Sequence, residues 1–494
     1  MSKAPLRRSR SSRWLCAGCA LLLAVLPQVR AGSIELPDMG ASAGSLMSQG
    51  EEQQLGKAFM RGVRRVVTVV EDPLLADYIE DLGQRLAQAA QRGRYQFSFF
   101  LADSPQVNAF AGPAGHIGIF SGLVLTTESE SELASVLAHE IAHVTQEHLL
   151  RSFESAKNLT LPAAAMLLAA VVLGATTKGD VGAAAVTGIS AGLAQQQINF
   201  TRDNEQEADR VGIQILAAAG FDPRAMAVFF DRMNKTSRLY ENKAPEFLRT
   251  HPVNTSRIAD ALGRADSFPQ TKRSEDYQYH LIRAALRVRG MTNPKEAVNH
   301  FAKTLKDGHF PDEDGERYGY ALALLKDRQY QAAAAQVGKL IAKRPSSIAY
   351  NLVKAKIEKE SGQAKQAMTT VGTALELFPG NYPLSQFFAE LLVQNGQASR
   401  AIKVLDRAIE QRPDKPALYE LRSRAYLATG NQGNAHLDLA ESNYLNGQLE
   451  KAVQQLQAAL KSDKLEFYDA SRIQAKLREL RDELVEEKKA ERKG

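Results

Sequence analysis

The chain has 494 residues, enough for two to four domains. Its 62 Lys and Arg outnumber 56 Asp and Glu, a formal charge of +6, but residues 1–31 alone hold Lys3, Arg7, Arg8, Arg10, Arg13 and Arg30 and no acid. The remainder balances at 56 against 56, which removes the electrostatic case for nucleic acid or any other polyanion as a partner.

The basic start runs into an apolar stretch from Trp14 to Leu26 and then into Val29-Arg30-Ala31. A charged region, a short apolar core and a small residue at the exit predict an export signal over 1–31, cleaved after Ala31. The apolar stretch is too short for a membrane span. Both cysteines, Cys16 and Cys19, fall inside it, so the mature chain owes nothing to disulfides. Residues 32–50, rich in Gly, Ser and Met, read as a flexible leader.

Glu51–Met60 and Pro73–Ala90 read as helices, the second with Leu74, Leu75, Tyr78, Ile79, Leu82 and Leu86 on one face. Tyr95, Phe97, Phe99 and Leu101 alternate like a half-buried strand. Val107–Phe120 then reads as two short extended runs around a Gly112-Pro113-Ala-Gly115 turn. Such a strand, just before the helix that follows, can offer its edge to an extended peptide; an ordinary hairpin fits as well.

Ser129-Glu-Ser-Glu132 fits a capping box and opens a helix whose apolar residues Leu133, Val136, Leu137, Ile141 and Val144 recur at helical spacing. Inside it lies His139-Glu140-Ile-Ala-His143. Two imidazoles four residues apart sit one turn above each other and can reach one metal ion, leaving Glu140 to handle a water. His148, nine residues from His139, is expected on the opposite helix face. Residues 159–194 are dominated by Ala, Gly, Leu and Val, broken at Lys178-Gly-Asp180. They read as buried or interface helices, or as an apolar lid with peripheral membrane contact.

A catalytic zinc takes three protein ligands and keeps one open position. Asn204-Glu205-Gln-Glu207-Ala-Asp209 begins a second helix, and Glu205 and Asp209 share a face. Glu205 is the candidate third ligand. Asp209 is placed to hold the free ring N–H of a ligand histidine. Glu207 is expected to point into solvent. Asn108 and Arg202 are candidate oxyanion donors.

These residues, with Asn108-Ala-Phe upstream, resemble the M48 metallopeptidases over about residues 50–265. The resemblance implies one zinc per chain held by His139, His143 and Glu205, with Glu140 as the catalytic carboxylate. Asp209 is then a proton donor or an orienter. Zinc activates the water, and Glu140 takes its proton and passes it to the leaving amine. Thr250-His251-Pro252 matches a His-Pro of the family. His251 is expected either to close zinc's open position and keep the enzyme latent, or to be a loop histidine packing at the domain edge.

After residue 275 a 34-residue period appears in three columns: Pro311, Pro345, Pro379 and Pro413; Gly362, Gly396 and Gly430; Ala333, Ala367, Ala401 and Ala435. That period indicates tetratricopeptide repeats, a protein-binding solenoid. Residues 465–494 read as a charged, solvated helical tail.

The expected architecture is mainly α with a small β-sheet in an HExxH zincin-like peptidase domain over 51–270, followed by an all-α solenoid over 275–464. Signal, peptidase and repeats together resemble repeat-bearing M48 members of the Gram-negative periplasm. That resemblance implies chaperone-like help for outer-membrane proteins, degradation of misassembled ones, and contact with the barrel assembly machinery through the repeats. The alternatives are a non-proteolytic repeat scaffold with a latent site and a membrane-embedded protease that trims apolar tails.

Overall fold

The computed structural model describes residues 48–90, 95–153, 202–239, 245–269, 277–461 and 467–493. The signal over 1–31, residues 32–47 of the leader and the apolar stretch 159–194 lie outside them. Among the described residues no helix is long and apolar enough to cross a membrane.

Helix α1 spans Gln49–Val66, and Ser48 and Glu51 close its capping box reciprocally. It outruns the expected 51–60 because Leu55, Phe59 and Val63 continue one buried face. Helix α2, Pro73–Ala89, starts at Asp72, which accepts from the Leu74 and Leu75 amides, with proline in the first turn.

Three strands follow: β1 Ser98–Ala102, β2 Ala109–Ala111 and β3 His116–Phe120. Their order is β1-β3-β2, with β1 parallel and β2 antiparallel to the central β3. The expected hairpin is therefore β2–β3. The expectation of a half-buried first strand fails. Phe99 and Leu101 face the core shared with α2, while Phe100 and Ala102 pack with Leu55, Phe59 and Val63 of α1. A helix on each face buries both sides, and the visible alternation was aromatic in one register and small or aromatic in the other.

Helix α3 (Ser121–Thr126) leads to α4 (Glu130–Thr145), then α5 (His148–Phe153), α6 (Arg202–Ala218), α7 (Ala225–Leu239), α8 (Glu246–Thr250) and α9 (Thr255–Ala265). One core of α2, sheet, α4, α6 and α7 residues surrounds α4.

Helices α10 (Tyr277–Gly290) and α11 (Pro294–Asp307) open the repeat half. Then come the pairs α12/α13 (Glu313–Lys326, Tyr330–Lys343), α14/α15 (Ile348–Glu360, Ala364–Leu377), α16/α17 (Tyr382–Gln394, Ala398–Gln411) and α18/α19 (Pro416–Ala428, Gln432–Leu445). The repeat columns acquire physical reasons here. Ala333, Ala367, Ala401 and Ala435 are wholly buried where helices cross. Gly362, Gly396 and Gly430 sit at φ of 84°, 72° and 77°, the left-handed turn between paired helices. Arg328 holds the same turn position one repeat earlier, at φ 60°.

Helix α20 (Leu449–Ala459) and the tail helix α21 (Phe467–Lys493) complete the array. The tail is not simply solvated. Ile473, Leu477 and Leu480 are buried against α19 and α20, so it caps the apolar end of the last repeat.

The repeats close back onto the peptidase half. Tyr279 and Ile282 of α10 belong to the peptidase core, and Leu281 and Ala284 of the same helix to the repeat core. Arg412 pairs with Asp77 of α2 at 2.8 Å, Arg289 with Asp103 at 2.8 Å, and Arg61 of α1 with Glu483 of the tail at 3.6 Å. Leu74 packs against two successive repeat clusters. The first helices of the repeats partly face α2, leaving a cleft of about 470 Å³ beside Asp72, Leu74, Tyr330, Lys356 and Phe387.

Candidate metal centre

The site is built on α4. Ser129 caps it by accepting from the Glu132 amide at 3.2 Å. The reciprocal half of the expected box is displaced by one residue, because the Glu132 carboxylate accepts from the Glu128 amide instead and also pairs with Arg232. The helix is buried on all sides, so its histidines and Glu140 are cut off from bulk water: His139, Glu140 and His143 are 0, 1 and 2 % exposed.

Helix α6 crosses α4 at His139. Glu205, Asp209 and Gly212 lie on one face of α6 at steps of four and three residues. A Cβ at Gly212 would stand 3.2 Å from the backbone of His139, so only glycine lets the two helices approach this closely without adjustment. That approach delivers Glu205 to the two imidazoles: its carboxylate lies 3.5 Å from His139 Nε2 and 3.4 Å from His143 Nε2. Asp209 Oδ1 lies 3.0 Å from His139 Nδ1, the ring nitrogen turned away from the cluster.

His251 arrives at the end of α8. It is 2 % exposed and lies in the cluster rather than at a domain edge. Its Nδ1 is 3.3 Å from His139 Nε2 and 3.1 Å from Glu205, and its Nε2 is 3.4 Å from Glu140 Oε1. The Phe247 amide donates to the Val107 carbonyl at 3.0 Å, which docks α8 beside the start of β2.

His139, His143, Glu205 and His251 offer four donor atoms all within 4.8 Å of one another. The His139–His143 nitrogens are 3.0 Å apart, and the other separations given above run from 3.1 to 3.5 Å. Bonds of ~2.0–2.1 Å to a tetrahedral zinc require donors ~3.3–3.4 Å apart, so this donor set fits such an ion. Glu140 is not one of the four donors, although its Oε1 lies 3.4 Å from His251 Nε2. Its carboxylate accepts from the Ala111 amide of β2, while Oε1 is enclosed with no hydrogen-bond partner.

The electrostatics agree with a cation site. Burial disfavours a charged His139, yet Asp209 and Glu205 override it and raise its pKa to about 10. Burial pushes His143 down to about 3. Burial alone would raise Glu205, but His251, His139 and His143 hold it well below the usual carboxylate range. Burial pushes Glu140 up from the usual carboxylate range.

Three contributors escaped the sequence reading. Arg257 donates to both Asp209 oxygens, at 2.7 and 2.8 Å, and to the Pro252 carbonyl at 2.7 Å. Its only sequence signal is its place in the first turn of α9, six residues after His251. His148 does not ligate with the cluster, as expected, but it does not face away either: Glu147 at φ 56° ends the α4 periodicity and folds His148 Nδ1 back to 2.8 Å from His143 Nδ1. Glu207, expected in solvent, pairs with His148 Nε2 at 3.1 Å and with Arg151 at 3.4 Å. Of the oxyanion candidates, Arg202 is exposed, and Asn108 is buried with its Nδ2 enclosed without a partner. Among the described residues no other group of His, Cys, Asp and Glu has metal-like spacing.

The sequence profile of peptidase family M48 matches residues 73–265, and tetratricopeptide repeat profiles match 282–348 and 359–425. The chain is 34% identical over 461 residues to the beta-barrel assembly-enhancing protease of Escherichia coli (strain K12), covering 92% of this chain and 93% of that one. It is 35% identical over 450 residues to the Yersinia pestis protein of the same name, covering 90% and 91%. Over 167 residues it is 34% identical to the mitochondrial metalloendopeptidase OMA1 of Bos taurus, covering 33% and 31%.

Proposed function

This chain belongs to the M48 metallopeptidases that carry C-terminal tetratricopeptide repeats, and on that premise we propose that it is a periplasmic zinc endopeptidase and chaperone-like factor for misassembled outer-membrane proteins. In this reading residues 1–31 are removed on export, 51–270 form the peptidase, 275–464 the repeats, and 465–494 the helical tail. The repeats recruit clients or the barrel assembly machinery, and 159–194 makes peripheral membrane contact.

The observation that carries the reading is the convergence of four buried donors beside a buried carboxylate, Glu140, that is not one of them. His139, His143 and Glu205 hold one zinc ion. Zinc, when bound, supplies Lewis-acid activation of water and of the scissile carbonyl. Glu140 takes the proton of the attacking water and returns it to the leaving amine. Asp209, clamped by Arg257, acts as the orienter of His139 rather than as a proton donor, because its carboxylate faces the nitrogen away from the donors. The free edge of β2, whose Ala111 amide reaches Glu140, receives the substrate as an extended strand.

The test is zinc content per chain for wild type and Glu205→Gln, alongside cleavage of casein and of an unfolded barrel protein by wild type and Glu140→Gln. One zinc in the wild type, a deficit in Glu205→Gln and no cleavage by Glu140→Gln are expected. Equal metal content in both, or cleavage by Glu140→Gln, overturns the reading.

A second reading, a scaffold or chaperone whose peptidase site is latent, draws on the closure of the site. His251 takes the corner that a catalytic zinc keeps open, and α8 lies over the approach to β2. Cellular function retained in Glu140→Gln would favour it.

A further inference from the structure

We propose that His148 and Glu207 form a positioning relay that fixes which ring nitrogen of His143 is free to ligate. This rests on the metal-site reading above. His148 is wholly buried, with its Nδ1 2.8 Å from His143 Nδ1 and its Nε2 3.1 Å from Glu207 Oε2. The ring centroids are 4.9 Å apart at an interplanar angle of 74°. Glu207 is held in turn by Arg151 at 3.4 Å and Arg210 at 3.7 Å.

Two facing imidazole nitrogens share one proton, so only one of them is the donor. His143 can present a lone pair at Nε2 only if its proton sits on Nδ1 and is donated to His148. His148 must then accept at Nδ1 and carry its own proton on Nε2. There it meets the Glu207 carboxylate, which only accepts. The chain is self-consistent in one direction. Without Glu207, His148 can place its proton on Nδ1 and donate to His143, which moves the His143 proton onto the ligating nitrogen. Glu207 therefore sets the tautomer of His148, and His148 sets that of His143. His139 has the equivalent device in shorter form, with Asp209 directly on its Nδ1 and Arg257 behind it. Both histidines of the motif are thus backed by a carboxylate held by arginine, one directly and one through an imidazole.

The experiment is zinc affinity of the full chain by competition with a chromophoric chelator, with thermal unfolding of the metal-free protein as the fold control. An Asn amide oxygen takes the place of imidazole Nδ1 and can accept from His143, whereas a Gln oxygen takes the place of Nε2 and cannot. His148→Asn is expected to stay within ~3-fold of wild type, and His148→Gln and His148→Leu to bind ~10–100-fold more weakly, the range for loss of a group that orients a ligand. Wild-type affinity in His148→Leu, or equal weakening by Asn and Gln, overturns the relay. If the position 148 variants do not fold, Glu207→Ala at the partly exposed end carries the test: weaker zinc binding is expected, and unchanged affinity overturns the relay. A wild-type chain that takes up no zinc overturns the metal-site reading and the relay with it.

Discussion

Arg257→Met tests whether the buried charges of the site depend on one guanidinium. Arg257 is 2 % exposed, makes two hydrogen bonds to Asp209 and one to the Pro252 carbonyl, and lies 2.9 Å from Glu205. Its guanidinium stacks 5.0 Å over the Phe230 ring. Methionine fills the stem volume but leaves Asp209 leaning on His139 alone and the carbonyl unpaired. Removing one partner of a buried ion pair costs about 3–5 kcal/mol, and the orphaned carbonyl adds about 1 kcal/mol. For a unit of ~150–250 residues each kcal/mol is worth roughly 2–4 °C, so the unfolding temperature should fall by roughly 10–20 °C. Calorimetry of the metal-free full chain measures this. Arg257→Lys keeps the charge but not the fork, and should recover about half of the loss. A drop below about 3 °C in Arg257→Met, or full recovery in the lysine variant, refutes the clamp.

Three further outcomes are expected. His251→Ala frees one of the four donor positions and should raise basal casein cleavage severalfold; unchanged basal activity removes the latch. Arg328→Gly relieves a left-handed residue that the later repeats fill with glycine, and should stabilise the repeat array by about 1 kcal/mol, read by urea unfolding; a destabilised array would contradict it. His116 is pushed down to about 4 by burial, with its Nδ1 enclosed and unpartnered. The unfolded chain therefore binds the extra proton between pH 6.5 and about 4. The contribution is intact above pH 6.5 and lost as pH falls towards 4, up to about 3 kcal/mol. The slope of stability against pH in that window should flatten in His116→Gln, and an identical slope counts against a half-buried neutral imidazole.

The readable parts of this chain were those written in local spacing. The His139–His143 step, the Glu205–Asp209 step and the proline, glycine and alanine columns each state a helical contact within a few residues, and all of them lie in helices or helix turns at the positions expected. What escaped depends on chain reversals and on distant partners. No residue type announces the left-handed Glu147, so continuing the helical wheel sent His148 to the wrong side. Nothing near Arg257 shows that Asp209 waits 48 positions away. The tail looked solvated because its charges outnumber its apolar residues, although Ile473, Leu477 and Leu480 form a stripe that needs only one neighbour. The burial of both sheet faces required knowing that α1 returns over the strands.

If His251 acts as the latch proposed above, its seat makes occupancy and work pull in opposite directions. In the latent reading, a cation gripped from four corners would dissociate more slowly than one gripped from three, so the resting chain would be the better keeper of its metal. By reciprocity the ion steadies the shut arrangement by the same free energy with which that arrangement steadies the ion. On that reading whatever opens the cleft must supply that energy, and scarcity of the ion or a competing chelator is expected to strip working molecules before idle ones.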